Sequence, residues 1–202
     1  MTKIDINDPE SVLPTPSHTV GPWYGYALPF EGGGDIAPVG HPDTVAVHGY
    51  VYDGNGAPVP DAFVEIWGAD PEGNASTVDG SMRRQPFTGG YLGRNGVEFT
   101  GWGRIETDAN GHWAVRTLRP GARGGSAPYL AVMIFSRGLL HHLYTRIYFA
   151  DSSEEALAAD PVLAQVGDAR RDTLIAREER DGTYRFDIRL QGEGETVFLE
   201  FT

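Results

Sequence analysis

Residues 128–149, PYLAVMIFSRGLLHHLYTRIYF, limit what this chain can fold into more than any other stretch. The first run alternates Leu130, Val132 and Ile134 with Tyr129, Ala131, Met133 and Phe135, so an extended backbone carries apolar side chains on both faces. Such a run is far shorter than the roughly 20 apolar residues that cross a bilayer, and it predicts a strand buried on both faces. The second run, residues 143–149, has the aromatic and β-branched residues that suit a pleated surface, and Arg137-Gly138 supplies a turn between the two. Together they form the expected centre of a β core.

The rest of the chain follows that lead. Residues 44–52 alternate, with Val45, Val47, Gly49 and Val51 on one face, and run into the turn Asp53-Gly54-Asn55-Gly56. Residues 62–67 read as a second strand with Glu65 and Trp67 on a shared face, and residues 102–107 and 112–118, joined by Asp108-Ala109-Asn110-Gly111, read as a hairpin. Between them, residues 68–101 show no period. A loop of that length inside a compact domain is usually functional or interfacial.

Further strands are expected at 172–178, 184–190 and 196–201. Ser152 and Glu155 have capping-box spacing ahead of Ala156 and Leu157, and Pro161 starts a second short helix through Val166. The fold class predicted is therefore all-β: a β-sandwich over residues 44–202 with one short helical insertion, preceded by an extended arm over residues 1–43, in one domain. The arm is broken by Pro14, Pro16, Pro22, Pro29 and Pro38, yet carries Trp23, Tyr24, Tyr26, Leu28 and Phe30. That apolar load predicts docking on the core or on another chain.

A formal charge of −12 argues against nucleic acid or an anionic membrane surface as partner, since both call for the opposite sign. With no cysteine, neither disulfides nor thiolate metal sites are possible. The N-terminal segment MTKIDINDPESVL has no apolar signal core, so a soluble, cytoplasmic protein is expected. Of the six histidines only His141 and His142 are adjacent, and strand neighbours point to opposite faces, so they reach one ion only within a turn. Hydrogen-bonded polar rings at a strand entry are the simpler account. Arg137 directly follows an apolar strand: it is either a solvated turn arginine or a guanidinium placed at the sandwich rim for a carboxylate.

The order and spacing of several segments are more specific than any one residue. They are TPSHTVGPW at 15–23, GYVYDGNGAPVPDAFVEIWGAD at 49–70, RTLRPG at 116–121, the IFSRG and LYTRIYF runs, and YRFDIRLQGEGETVFLEF at 184–201. Across nearly its whole length the chain resembles the intradiol aromatic-ring dioxygenases. The resemblance implies a β-sandwich whose catalytic members hold ferric iron with two tyrosines and two histidines. At the matching positions this chain has Arg123 for a tyrosine and Leu130 and Val132 for the histidines, and no tyrosine follows Trp67 until Tyr91. An alkyl group has no lone pair to offer iron, and a guanidinium repels it.

The chain thus resembles the alpha chain of the two-chain members, in which a homologous beta subunit keeps the Fe(III). No catalytic or metal-binding residue is expected here. By the same resemblance, Gly21, Pro22, Trp23 and Arg137 line the substrate cleft of the partner, where 3,4-dihydroxybenzoate and O2 react within a higher-order alpha–beta oligomer. Trp23 stands where a tyrosine is common. Two further readings are a free-standing β-sandwich module stacking a ligand on Trp23, Tyr24 and Tyr26, and a dioxygenase using other ligands of its own.

Overall fold

The computed structural model describes residues 16–22 and 24–201. A short helix α1 (Tyr24–Ala27) precedes β1 (Thr44–Tyr52), β2 (Phe63–Gly68), β3 (Arg83–Arg84), β4 (Tyr91–Gly93), β5 (Trp102–Glu106), β6 (His112–Leu118), β7 (Tyr129–Phe135) and β8 (Leu143–Phe149). Helices α2 (Glu154–Ala159) and α3 (Asp168–Arg171), each followed by a 3₁₀ turn, lead to β9 (Ile175–Arg180), β10 (Thr183–Arg185) and β11 (Ile188–Arg189). One layer is built on β1, which pairs antiparallel with β6 and parallel with β10 and β11. The other runs β8-β7-β2-β5, antiparallel throughout. Strand β9 belongs to both, pairing with β8 at Ile175–Ala176 and with β10 further on, so it turns the corner between the layers.

The period-2 pattern decides what lies between the layers. Val47 and Val51 of β1, Val64 and Ile66 of β2, Trp113 and Val115 of β6, Leu130, Val132 and Ile134 of β7, and Ile147 and Phe149 of β8 form one buried cluster. Each such aliphatic or aromatic side chain contributes about 1.5–3 kcal/mol when fully buried. The opposite face of β7, with Tyr129, Ala131, Met133 and Phe135, is only half-buried. The expectation of a strand buried on both faces therefore holds for one face only, because among the described residues the helical insertion covers the outside of the β2–β7–β8 sheet only around Tyr129 and Tyr148.

A smaller cluster on the outer side of β8 anchors the helical insertion. Tyr148, Leu163 and Leu174 meet there, above the buried Asp160. The Asp160 carboxylate accepts from the Tyr148 hydroxyl (2.9 Å) and from the backbone N–H groups of Ala127 (3.0 Å), Val162 (2.8 Å) and Leu163 (3.0 Å). Helix α2 is capped by Ser153, whose hydroxyl accepts from Ala156 N–H, one residue beyond the Ser152 cap expected from spacing. No strand forms over 196–201, where only an isolated bridge joins Leu199 to Tyr144, and the 184–190 strand is interrupted at Phe186 and Asp187.

The expected hairpin of residues 102–118 does not form. Its turn exists, with Asp108 accepting from the N–H groups of Asn110 and His112, which hold its carboxyl below the usual range. Its strands part, however: β5 pairs with β2 over five residues and β6 with β1 over seven. The arm fills the seam that this leaves. Gly33 O accepts from Arg104 N–H (3.0 Å), Gly34 O from Arg116 N–H (2.8 Å), and Arg116 O from Ile36 N–H (2.7 Å), so residues 33–37 bridge β5 to β6. Gly33 is required there, since a Cβ on it would lie 2.0 Å from Arg104 O.

Candidate functional site

The turn after β7 is where the sequence-predicted residues gather. Arm residues 17–22 run across it: Gly138 N–H donates to Thr19 Oγ1 (3.2 Å), and Ser17 Oγ lies 3.4 Å from His141 Nδ1. The next residues, Gly21 and Pro22, then reach the start of β2. Gly21 has φ +77°, a bend that favours glycine, and none of the described residues lies within 4 Å of where a Cβ would stand. Pro22, Tyr24, Pro60, Asp61, Phe63 and Arg137 line one open pocket of about 290 Å³, with Glu106 also at its wall. Trp23 lies outside the described residues.

Two features of this pocket were not legible beforehand. The Arg137 Nε–H donates to Asp61 Oδ2, closing an ion pair between residues 76 apart in sequence. Tyr24 is buried, packed edge-on against Phe63 with ring centroids 4.7 Å apart, and its hydroxyl has no hydrogen-bond partner among the described residues. Burial, and then the Asp61 charge, push that phenol above its ordinary value, against the pull of the Arg137 backbone and guanidinium. Nothing in an isolated Asp marks it as the partner of a distant arginine; only the short step from Pro60 into β2, opposite the end of β7, carries the signal.

The positions matched to iron ligands are not brought together. Arg123 is exposed, in a tight turn in which Arg123 and Ser126 exchange backbone hydrogen bonds, and it borders a pocket of about 110 Å³ with Trp67, Ala75, Ser76 and Tyr129. Leu130 and Val132 point the other way, into the main core, 0 % and 2 % exposed. Tyr91 is elsewhere, stacked on Phe30 of the arm with centroids 5.6 Å apart. Hydrocarbon at two of these positions and a guanidinium at a third do not fit ferric iron, which takes lone pairs from oxygen or nitrogen.

Three further histidines lie within hydrogen-bond distance of neighbours. His142 Nε2 lies 2.6 Å from the Tyr144 hydroxyl, while His48 lies 3.3 Å from His112 and 2.9 Å from Glu179 on the outer face of β1. Among the described residues no helix is long and apolar enough to cross a membrane.

A family model described as Dioxygenase matches residues 33–192. The chain is 38% identical over 215 aligned positions to the protocatechuate 3,4-dioxygenase alpha chain of Pseudomonas putida, spanning 96% of this chain and 100% of that one. It belongs to the intradiol dioxygenase family. Another member of the family, the protocatechuate 3,4-dioxygenase beta chain of Burkholderia cepacia, is 30% identical over 83% of this chain and 78% of its own length. Among solved structures, the dioxygenase domain of a carbohydrate-binding fusion from Streptomyces sp. SirexAA-E superposes with a TM-score of 0.55 at 23% identity, covering 89% of this chain and 99% of that one. That likeness concerns the fold, and it agrees with the nearly closed two-layer sheet described above.

Proposed function

We propose that this chain is the alpha subunit of a protocatechuate 3,4-dioxygenase, the subunit that holds no iron and helps to form the substrate cleft of a homologous beta subunit. The observation that carries the reading is identity to an alpha chain along that chain's entire length. The residues themselves support it: Arg123, Leu130 and Val132 supply no donor that iron accepts. The complex would cleave 3,4-dihydroxybenzoate with O2 to 3-carboxy-cis,cis-muconate, with Fe(III) held by the beta chain, in a higher-order alpha–beta oligomer in the cytoplasm. A free-standing binding module is less favoured, because it gives no reason for full-length likeness to one chain of a two-chain enzyme.

This chain's own contribution is recognition and exclusion of water. Arg137 stands at the pocket rim with its side chain 60% exposed, where an incoming ring carboxylate can meet it. A charge-assisted contact of this kind is worth about 1.5–3 kcal/mol once the partner shields it. Pro22, after the Gly21 bend, brings the arm to the same pocket, and the family resemblance assigns Gly21, Pro22 and Trp23 to the lining of the substrate cleft. In the assembled enzyme, Arg137→Ala should raise KM for 3,4-dihydroxybenzoate by about tenfold or more and leave catechol, which has no carboxylate, nearly unchanged. Equal effects on the two substrates would remove the carboxylate role.

A further inference from the structure

Asp61 and Arg137 differ in how firmly each is held. Asp61 sits between Pro60 and the fully buried Ala62, whose N–H donates to Thr107 Oγ1 (3.0 Å) and whose carbonyl accepts from Thr107 N–H (3.0 Å). The same Thr107 hydroxyl donates to Val59 O (2.7 Å), so the backbone on both sides of Asp61 is pinned. Arg137 has a long, half-solvated side chain on a turn, and among the described residues its one polar side-chain contact is Nε–H to Asp61 Oδ2. The rigid carboxylate therefore aims the mobile guanidinium, and not the reverse.

The edge that Asp61 occupies decides what remains. A guanidinium takes a carboxylate in a two-pronged bond either along its Nε/Nη edge or end-on through both Nη groups. With Asp61 on Nε–H, only the end-on approach is left. Net charge does not do this work, because the pocket wall carries two carboxylates, Asp61 and Glu106, against the one guanidinium of Arg137. An anion admitted there is selected by direction, not by a positive field.

Resting on the reading of Arg137 given above, we propose that Asp61 is a positioning residue for substrate selection: it holds the Nε edge of Arg137 so that the two Nη groups meet the ring carboxylate end-on. The test uses the complex of this chain with its homologous beta chain, assayed with 3,4-dihydroxybenzoate and with catechol. Asp61→Ala should raise KM for 3,4-dihydroxybenzoate about tenfold while kcat and the catechol parameters change less than about twofold. Asp61→Asn keeps an oxygen acceptor for Nε–H and should restore KM to within about threefold of the parent. Adding Asp61→Ala to Arg137→Ala should have no further effect.

If both Asp61 variants instead lower KM, Asp61 merely cancels charge and the proposal is wrong. If Asp61→Ala impairs both substrates alike, its role is structural and the proposal is equally wrong. Selectivity lost in Arg137→Ala but kept in Asp61→Ala would sink this inference alone; selectivity kept in Arg137→Ala would sink the reading beneath it.

Discussion

Three tyrosine hydroxyls, those of Tyr24, Tyr148 and Tyr184, are held above the ordinary tyrosine range, each chiefly by burial. Tyr148 is the most affected: burial raises it, the Asp160 hydrogen bond raises it further, and Arg146 opposes both. A phenol that ionises later in the folded chain than in the unfolded one stabilises the fold fully below the unfolded value of 10.0. That contribution is lost as pH rises beyond it, because the unfolded chain gives up its proton first. The contribution of these phenols should hold flat up to about pH 9 and fall above about pH 10, and Tyr148→Phe should reduce the slope of the alkaline fall in stability in denaturant melts taken across that range. An unchanged slope would mean that Tyr148 does not titrate with unfolding. The residue scale is also where sequence says least: Arg137 was identifiable through its place in the F-S-R-G segment, whereas Asp61 and the Asp160 cluster arise from folding, which joins groups that no motif links.

Strands were legible because a half-buried strand must alternate, and β1, β2, β5, β6, β7 and β8 all lie where the period places them. Pairing was not legible, since alternation says which face is apolar but not which neighbour supplies the backbone partners. Residues 102–118 have the period and the turn of a hairpin, yet each strand finds a partner in a different layer. The arm residues that close the resulting seam carry no apolar period at all; their signal is Gly33-Gly34, two residues that let one backbone lie against another. Gly33→Ala should cost about 1–3 kcal/mol by forcing the arm off Arg104, and should raise amide exchange at Arg104 and Arg116 more than in the β7–β8 pair. Equal exchange at both places would show that the arm does not close the sheet.

As a whole, the molecule buries one face of the β2–β7–β8 sheet and leaves the other half-covered, and it exposes Phe87 (93%) and Val97 (79%) in loops and Trp67 (51%) on β2. A chain intended to stand alone leaves less of this kind in water, and a subunit covers it on assembly. Strand alternation foretold a β fold and composition an acidic, cysteine-free protein, but the match to an alpha chain, and with it the expectation of a beta partner, came from segment order across the whole sequence. The most direct test is iron content, visible absorbance and 3,4-dihydroxybenzoate turnover of this chain produced alone and produced with its homologous beta chain. The account predicts colourless, iron-free, inactive protein from the chain alone and coloured, iron-bearing, active complex from the pair. Stoichiometric iron and turnover in the chain alone would contradict it and place the catalytic centre within this chain.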